Sequence, residues 1–132
     1  MTAAGPLVTV VDDDESVRES LPDLLMEFGY SVRAFPSAEA FLSSDCVGAA
    51  RCLILDMAMP GMSGLELQQV LAQSGRDIPI VFITASRDET VRALALKRGA
   101  VDCLFKPFSE SVLLAALNTA FRSNRSSIFF NR

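Results

Sequence analysis

The sequence predicts a doubly wound α/β fold, a parallel sheet of five strands with helices on both faces. Two observations carry this. Short apolar runs alternate with stretches of helical periodicity along nearly the whole chain, and strand–helix units in succession build a parallel sheet covered on both sides. Several runs are also β-branched and almost continuously apolar, as strands buried on both faces should be.

The first strand is Leu7-Val8-Thr9-Val10-Val11. The helix after it sets Val17, Leu21, Leu24, Leu25 and Phe28 on one face. Pro22 lies inside that pattern, where it removes a backbone donor and crowds the preceding turn. Because Val17 already belongs to the apolar stripe, a kinked helix is expected rather than one that starts near Ser20. Residues 31–35 make a weaker, alternating strand, and a short helix is expected at about 37–43. Cys52-Leu53-Ile54-Leu55 is the third strand. The helix that follows opens with a capping box of Ser63 and Glu66 and presents Leu65, Leu67, Val70 and Leu71. Ile80-Val81-Phe82-Ile83 is the fourth strand; Val91, Leu94 and Ala95 mark its helix, which Gly99 is placed to end. Residues 101–105 give the fifth strand. A last helix, capped by Ser109, carries a stripe of Val112, Ala116 and Ala120. No repeat or linker interrupts the series, so one domain is expected over 1–122. Residues 123–132, where Ile128, Phe129 and Phe130 have no evident place in a helix-covered sheet, read as a linker or tail.

Composition narrows the function. With 132 residues, 50% apolar and 21% charged, the chain suits a globular domain that needs no disulfide or metal staple. Twelve basic against sixteen acidic residues leave a net charge of −4, which argues against nucleic acid held through this domain's own phosphate contacts. The chain has no histidine, hence no imidazole ligand, general base or phosphohistidine of its own. Cys46, Cys52 and Cys103 lack the short spacings of zinc or redox motifs and read as reduced thiols of a cytoplasmic protein. The first residues show no basic patch followed by an apolar stretch, and no apolar run approaches the roughly 18 residues of a membrane span.

In a doubly wound sheet, function gathers at the carboxyl edge. The first strand runs into Asp12, Asp13, Asp14 and Glu15; the third ends at Asp56, the fourth at Thr84, the fifth at Lys106 followed by Pro107. Neighbouring strands lie about 4.8 Å apart, so these groups meet. Crowded carboxylates raise one another's proton affinity, and a divalent cation resolves the repulsion. Oxygen-only ligands suit Mg²⁺ or Mn²⁺ rather than zinc or copper. A carboxylate beside such an ion can act as a nucleophile toward phosphorus, with Lys106 and Thr84 placed to neutralise the phosphoryl oxygens.

These residues resemble the receiver domains of bacterial two-component response regulators. The matching pieces are Val-Val-Asp-Asp-Asp-Glu-Ser-Val-Arg at 10–18 and Leu-Asp-Met-Ala-Met-Pro-Gly-Met-Ser-Gly-Leu-Glu-Leu at 55–67. They continue with Ile-Thr-Ala at 83–85 and Gly-Ala-Val-Asp-Cys-Leu-Phe-Lys-Pro-Phe at 99–108. The similarity covers about 5–122, in a style closest to receivers joined to a LuxR-type output. It implies a flavodoxin-like sheet in the order 2-1-3-4-5. It also implies that Asp56 is the phosphoacceptor for a sensor histidine kinase, which supplies the missing histidine. Asp13, Asp56 and the backbone carbonyl of Ala58 would hold Mg²⁺, with Asp12 acting mainly through water. Thr84 would move toward the phosphoryl group, Lys106 would pair with it, and the Lys106–Pro107 peptide would be cis. The expected readout is the surface of the last two helices and the last strand, by homodimer formation or release of an output domain. DNA would be met only through an output domain this sequence does not contain. Two departures stand out. Three residues before the lysine the family carries Phe or Tyr, here Cys103; and Ala58 and Ser86, which flank the acyl phosphate in the family, are both small.

A second class shares much of this chemistry. Mg²⁺-dependent phosphohydrolases of the haloacid-dehalogenase type also place a nucleophilic Asp after a parallel strand, but their Asp-x-Asp puts a general acid where this chain has Ala58. A flavin binder would share the sheet order, yet the Ser/Thr/Gly phosphate turn after the first strand is lacking.

Overall fold

The alternation of side chains along each strand divides the interior into two layers. The computed structural model of the chain describes residues 5–130, and their side chains as far as Arg122. Strands β1 (Leu7–Val11), β2 (Ser31–Phe35), β3 (Cys52–Asp56), β4 (Ile80–Thr84) and β5 (Asp102–Phe105) form one sheet in the order β2-β1-β3-β4-β5. All four pairings are parallel, so each connection must cross over, and the crossovers are α1 (Glu15–Glu27), α2 (Ala38–Leu42), α3 (Cys46–Ala49), α4 (Gly64–Gln73) and α5 (Glu89–Lys97). The chain ends in α6 (Glu110–Phe130).

Val8, Val10, Cys52, Ile54, Val81, Ile83 and Leu104 point to one face, where Leu21 and Leu25 of α1 and the apolar stripe of α6 cover them. Val11, Leu53, Leu55, Ile80, Phe82 and Cys103 point to the other, beneath Ala38 and Phe41 of α2, Cys46 of α3, Leu67 and Leu71 of α4 and Ala95 of α5. β1, β3 and β4 are therefore buried on both sides, which is why their sequences read as unbroken apolar runs. The edge strand β2 alternates instead, with Arg33 turned to solvent.

Several local expectations are met. Ser63 and Glu66 form the reciprocal capping box of α4, and the Ser109 hydroxyl accepts from the Val112 amide at the start of α6. Gly99, at φ +102°, follows the C-cap of α5 in the left-handed region that glycine enters without strain. Helix α1 runs through Pro22 from Glu15, so the later start near Ser20 is excluded.

Others are corrected. The short helix expected at about 37–43 is α2, but a further turn of helix at residues 46–49, too brief to show a period in sequence, was not expected. In α6 the buried stripe is Leu113, Ala116, Leu117 and Ala120, while Val112 is 46% exposed. Both sets have helical spacing, and the one that buries two leucines removes more apolar surface from water. Leu94, expected in the core, is 37% exposed. The tail expected at 123–132 lies outside the residues whose side chains are described. Among the described residues no helix is long and apolar enough to cross a membrane.

Candidate functional site

The strand register brings the candidate residues to one edge. Val11 lies opposite Leu55, Asp56 opposite Ile83, and Thr84 opposite Phe105. Asp12 thus leaves β1 level with Asp56 at the end of β3, and Lys106 leaves β5 just beyond Thr84. β1 and β3 are neighbours whose following helices, α1 and α4, pack on opposite faces. The crevice opens between them, at the topological switch point.

One oxygen from each of Asp12, Asp13 and Asp56 lies within 4.8 Å of the others. Asp12 is fully buried and Asp56 nearly so, whereas Asp13 faces solvent. The Lys106 ammonium sits 2.9 Å from Asp12 Oδ2 and 3.7 Å from Asp56 Oδ1. Asp12 is held further by the Asp14 amide, which donates to its Oδ1 at 2.9 Å, and by Arg18, which donates to its carbonyl at 3.0 Å. Thr84 is buried, and its Oγ1 accepts from the Ser86 amide at 3.0 Å. The Lys106 amide donates to the Thr84 carbonyl at 2.8 Å, and the Lys106–Pro107 peptide is cis. Asp14 belongs to the helix rather than to the cluster. It caps α1, accepting from both the amide and the hydroxyl of Ser16, and those bonds hold its carboxyl below the ordinary range.

Burial, and next the Asp12 charge, push the Asp56 carboxyl up to about 7 against the pull of Lys106. Burial also works against the Lys106 charge, but the Asp12 hydrogen bond and the charges of Asp56 and Asp12 outweigh it and raise its pKa. Three carboxylates against one ammonium leave the cluster short of positive charge. The donors are oxygens only and converge, so the residues present fit a hard divalent cation such as Mg²⁺ or Mn²⁺. Ala58, whose carbonyl the resemblance adds to the set, is exposed between buried Met57 and Met59 on the loop that leaves Asp56.

The raised Asp56 carboxyl has a thermodynamic consequence. Between its ordinary value of 3.8 and about 7, the folded state keeps a proton that the unfolded chain has lost. The metal-free domain therefore loses stability as pH rises through that window. Asp56→Asn removes this loss and is expected to raise the metal-free thermal midpoint by roughly 3–6 °C at pH 8, and by much less at pH 4, in calorimetry.

Some contributors are not legible in the sequence. Arg18 reaches back to the Asp12 carbonyl, and Glu39 of α2 accepts from the Met62 amide on the loop after Asp56. Cys103 lies in the core as a small apolar residue, its thiol pKa raised by burial. Phe105 stands two residues on, half-buried, with the Arg87 and Arg92 guanidinium carbons 4.9 and 6.0 Å from its ring centroid. Cys46, Cys52 and Cys103 are all free and buried, and burial pushes the Cys52 thiol up to about 12.

Paired acids after β1, an aspartate closing β3 and a lysine after β5, set around one crevice of a 2-1-3-4-5 sheet, define a class. The chain belongs to the response regulator receiver domain family, whose sequence model matches residues 8–118. It is similar to response regulator protein TmoT of Ectopseudomonas mendocina, 45% identical over 116 residues that make up 88% of this chain and 53% of TmoT. It is also similar to transcriptional regulatory protein TdiR of Thauera aromatica, 44% identical over 124 residues, 94% of this chain and 55% of TdiR. The chain spans about half the length of these relatives. Among solved structures, response regulator StyR superposes with a TM-score of 0.86 at 45% identity, covering 97% of this chain and 65% of that one. FixJ-N superposes with a TM-score of 0.78 at 38% identity, covering 91% and 94%.

Proposed function

We propose that this receiver domain is a phosphorelay switch, accepting a phosphoryl group on Asp56 from a phosphohistidine of a sensor kinase. The observation that carries the reading is the convergence of Asp12, Asp13 and Asp56 within 4.8 Å, beside an ammonium 3.7 Å from the Asp56 oxygen. Asp12, Asp13, Asp56 and the Ala58 carbonyl would hold Mg²⁺, which when bound neutralises phosphoryl oxygens and favours the ionised Asp56. An Asp56 oxygen attacks phosphorus; the P–N bond breaks, and its electron pair leaves on the donor imidazole. Lys106 then pairs with one phosphoryl oxygen, and the Thr84 hydroxyl donates to another. Thr84 is joined through Ser86 to the loop that opens α5, and lies beside Phe105 of β5. Its shift biases a pre-existing two-state equilibrium on the face of α5, β5 and α6. The readout is a homodimer or a released output domain, in keeping with relatives about twice as long, one of them called a transcriptional regulator. A LuxR-type DNA-binding output and a cytoplasmic setting belong to the same reading.

This makes the domain a stoichiometric acceptor with self-dephosphorylation rather than an enzyme acting on a free substrate. Incubation with Mg²⁺ and acetyl phosphate, or with beryllofluoride, separates the two. A receiver takes up one equivalent of adduct; an aspartyl phosphohydrolase consumes many equivalents of phosphate ester, and that result would overturn the reading.

Ala58 and Ser86 both border the site, exposed and small, so water reaches the acyl phosphate freely. Ala58→Arg and Ser86→Tyr should each slow dephosphorylation by up to about tenfold, a barrier change near 1.4 kcal/mol. Unchanged decay of labelled phosphate in both variants contradicts this.

A further inference from the structure

We propose that Glu39 is a positioning residue for the phosphoacceptor site, its carboxylate holding loop 57–63 in the shape that presents Ala58 beside Asp56. The proposal rests on the reading above and adds a residue to it.

The base of the loop is tied to the sheet. The Met57 amide donates to the Ile83 carbonyl, and the Gly64 amide closes back on the Met57 carbonyl, each at 3.0 Å. Met57 and Met59 then turn inward, Met59 into the cluster that holds Ala38 and Phe41 of α2. Ala58 and Pro60 face solvent between and beyond them. At the far side the Met62 amide donates to Glu39 Oε2 at 3.0 Å, across 23 positions of sequence. Among the described residues, no other hydrogen bond from a different element reaches residues 58–62.

Both partners are prepared for this contact. Glu39 rides on a short helix fixed by its Ser37 cap and by the buried Ala38 and Phe41, so its carboxylate is delivered from a rigid base. Gly61, at φ +76°, lets the loop turn, and a Cβ there would stand 2.8 Å from Glu39 Oε2. The carboxylate thus occupies the space that the missing side chain leaves. A bond from a neutral amide to an ionised carboxylate is stronger than a neutral pair, though solvent access moderates it.

Glu39 could also act on a cation simply by its charge, and Glu39→Gln separates the two roles because it keeps an acceptor while removing the charge. In calorimetric titration, Glu39→Ala should weaken Mg²⁺ binding about fivefold, as loss of one such hydrogen bond would give. Glu39→Gln should stay within about twofold of the parent, far below the loss expected of a direct ligand. In the metal-free protein, Met62 amide hydrogen exchange should quicken in the alanine variant and not in the glutamine one. Gly61→Ala strains the same loop from the other side. It should cost less Mg²⁺ affinity in a Glu39→Ala background than in the parent, since the two changes act on one contact. Mg²⁺ affinity unchanged in Glu39→Ala, or a glutamine variant as impaired as the alanine one, would overturn the proposal. A parent chain that binds no Mg²⁺ would instead sink the phosphoacceptor reading, while the Met62 exchange rates still test the tether.

Discussion

Lys106→Ala will destabilise the metal-free domain by about 3 kcal/mol at pH 8, the range expected when one partner of a buried ion pair is removed. Asp12 has 0% exposure, and among the described residues the only cation on its carboxylate is the Lys106 ammonium, which also faces Asp56. Without it, burial and the neighbouring Asp12 charge act unopposed on Asp56 and favour its protonated form still more. An acid whose folded pKa is raised loses stability as pH climbs, because the unfolded chain releases the proton first. The deficit should therefore be small near pH 4 and full at pH 8. Mg²⁺ should restore part of it by supplying the positive charge that Lys106 gave. Urea denaturation at the two pH values, with and without Mg²⁺, reads all three effects. A variant as stable as the parent at pH 8 would show that the ammonium does not hold the cluster together.

Gly64→Ala should be comparably severe, for steric reasons alone. A Cβ at Gly64 would collide with the Asp56 carbonyl oxygen and lie 3.0 Å from Met57 Cα and 3.1 Å from the Phe82 ring. Two of these neighbours are backbone and the third is a ring buried in the core, so no flexible side chain can yield. The expected cost is about 3 kcal/mol, at the upper end of the overpacking range. Because the displaced atoms carry Asp56, Mg²⁺ affinity should fall with stability. Gly75→Ala is the contrast. It has a positive φ but nothing within 4 Å, so it should cost about 1 kcal/mol and leave Mg²⁺ binding intact. Equal stability losses at the two glycines in chemical denaturation would refute the packing argument.

What the sequence made legible follows from how local each feature is. β1, β3 and β4 announce themselves because burial on both faces demands continuous apolar runs. The site is readable because each of its groups stands at, or immediately after, the end of a strand. One parallel register then carries Asp12, Asp56, Thr84 and Lys106 to the same edge. The capping box of α4 involves residues three apart and needs no tertiary knowledge.

What stayed hidden is tertiary. Val112 and Leu113 both start stripes of helical spacing, and only the sheet beneath α6 selects the second. The Glu39–Met62 bond joins a helix to a loop 23 residues away, and nothing in either segment names the other. The Cys103 departure was visible as a substitution. That Cys103 packs into the core, and that the Arg87 and Arg92 guanidinium groups lie over the Phe105 ring, required coordinates.

In the phosphorelay reading an Asp56 oxygen attacks phosphorus at a site shared with Asp12 and Asp13. Treating the chain with acetyl phosphate and Mg²⁺, trapping the product with borohydride and mapping it by peptide mass spectrometry tests this directly. A single modified residue, Asp56, is expected, with no modification in Asp56→Asn or when Mg²⁺ is chelated. A phosphoryl group mapped to another residue, or uptake that persists in the Asp56→Asn chain, would contradict it.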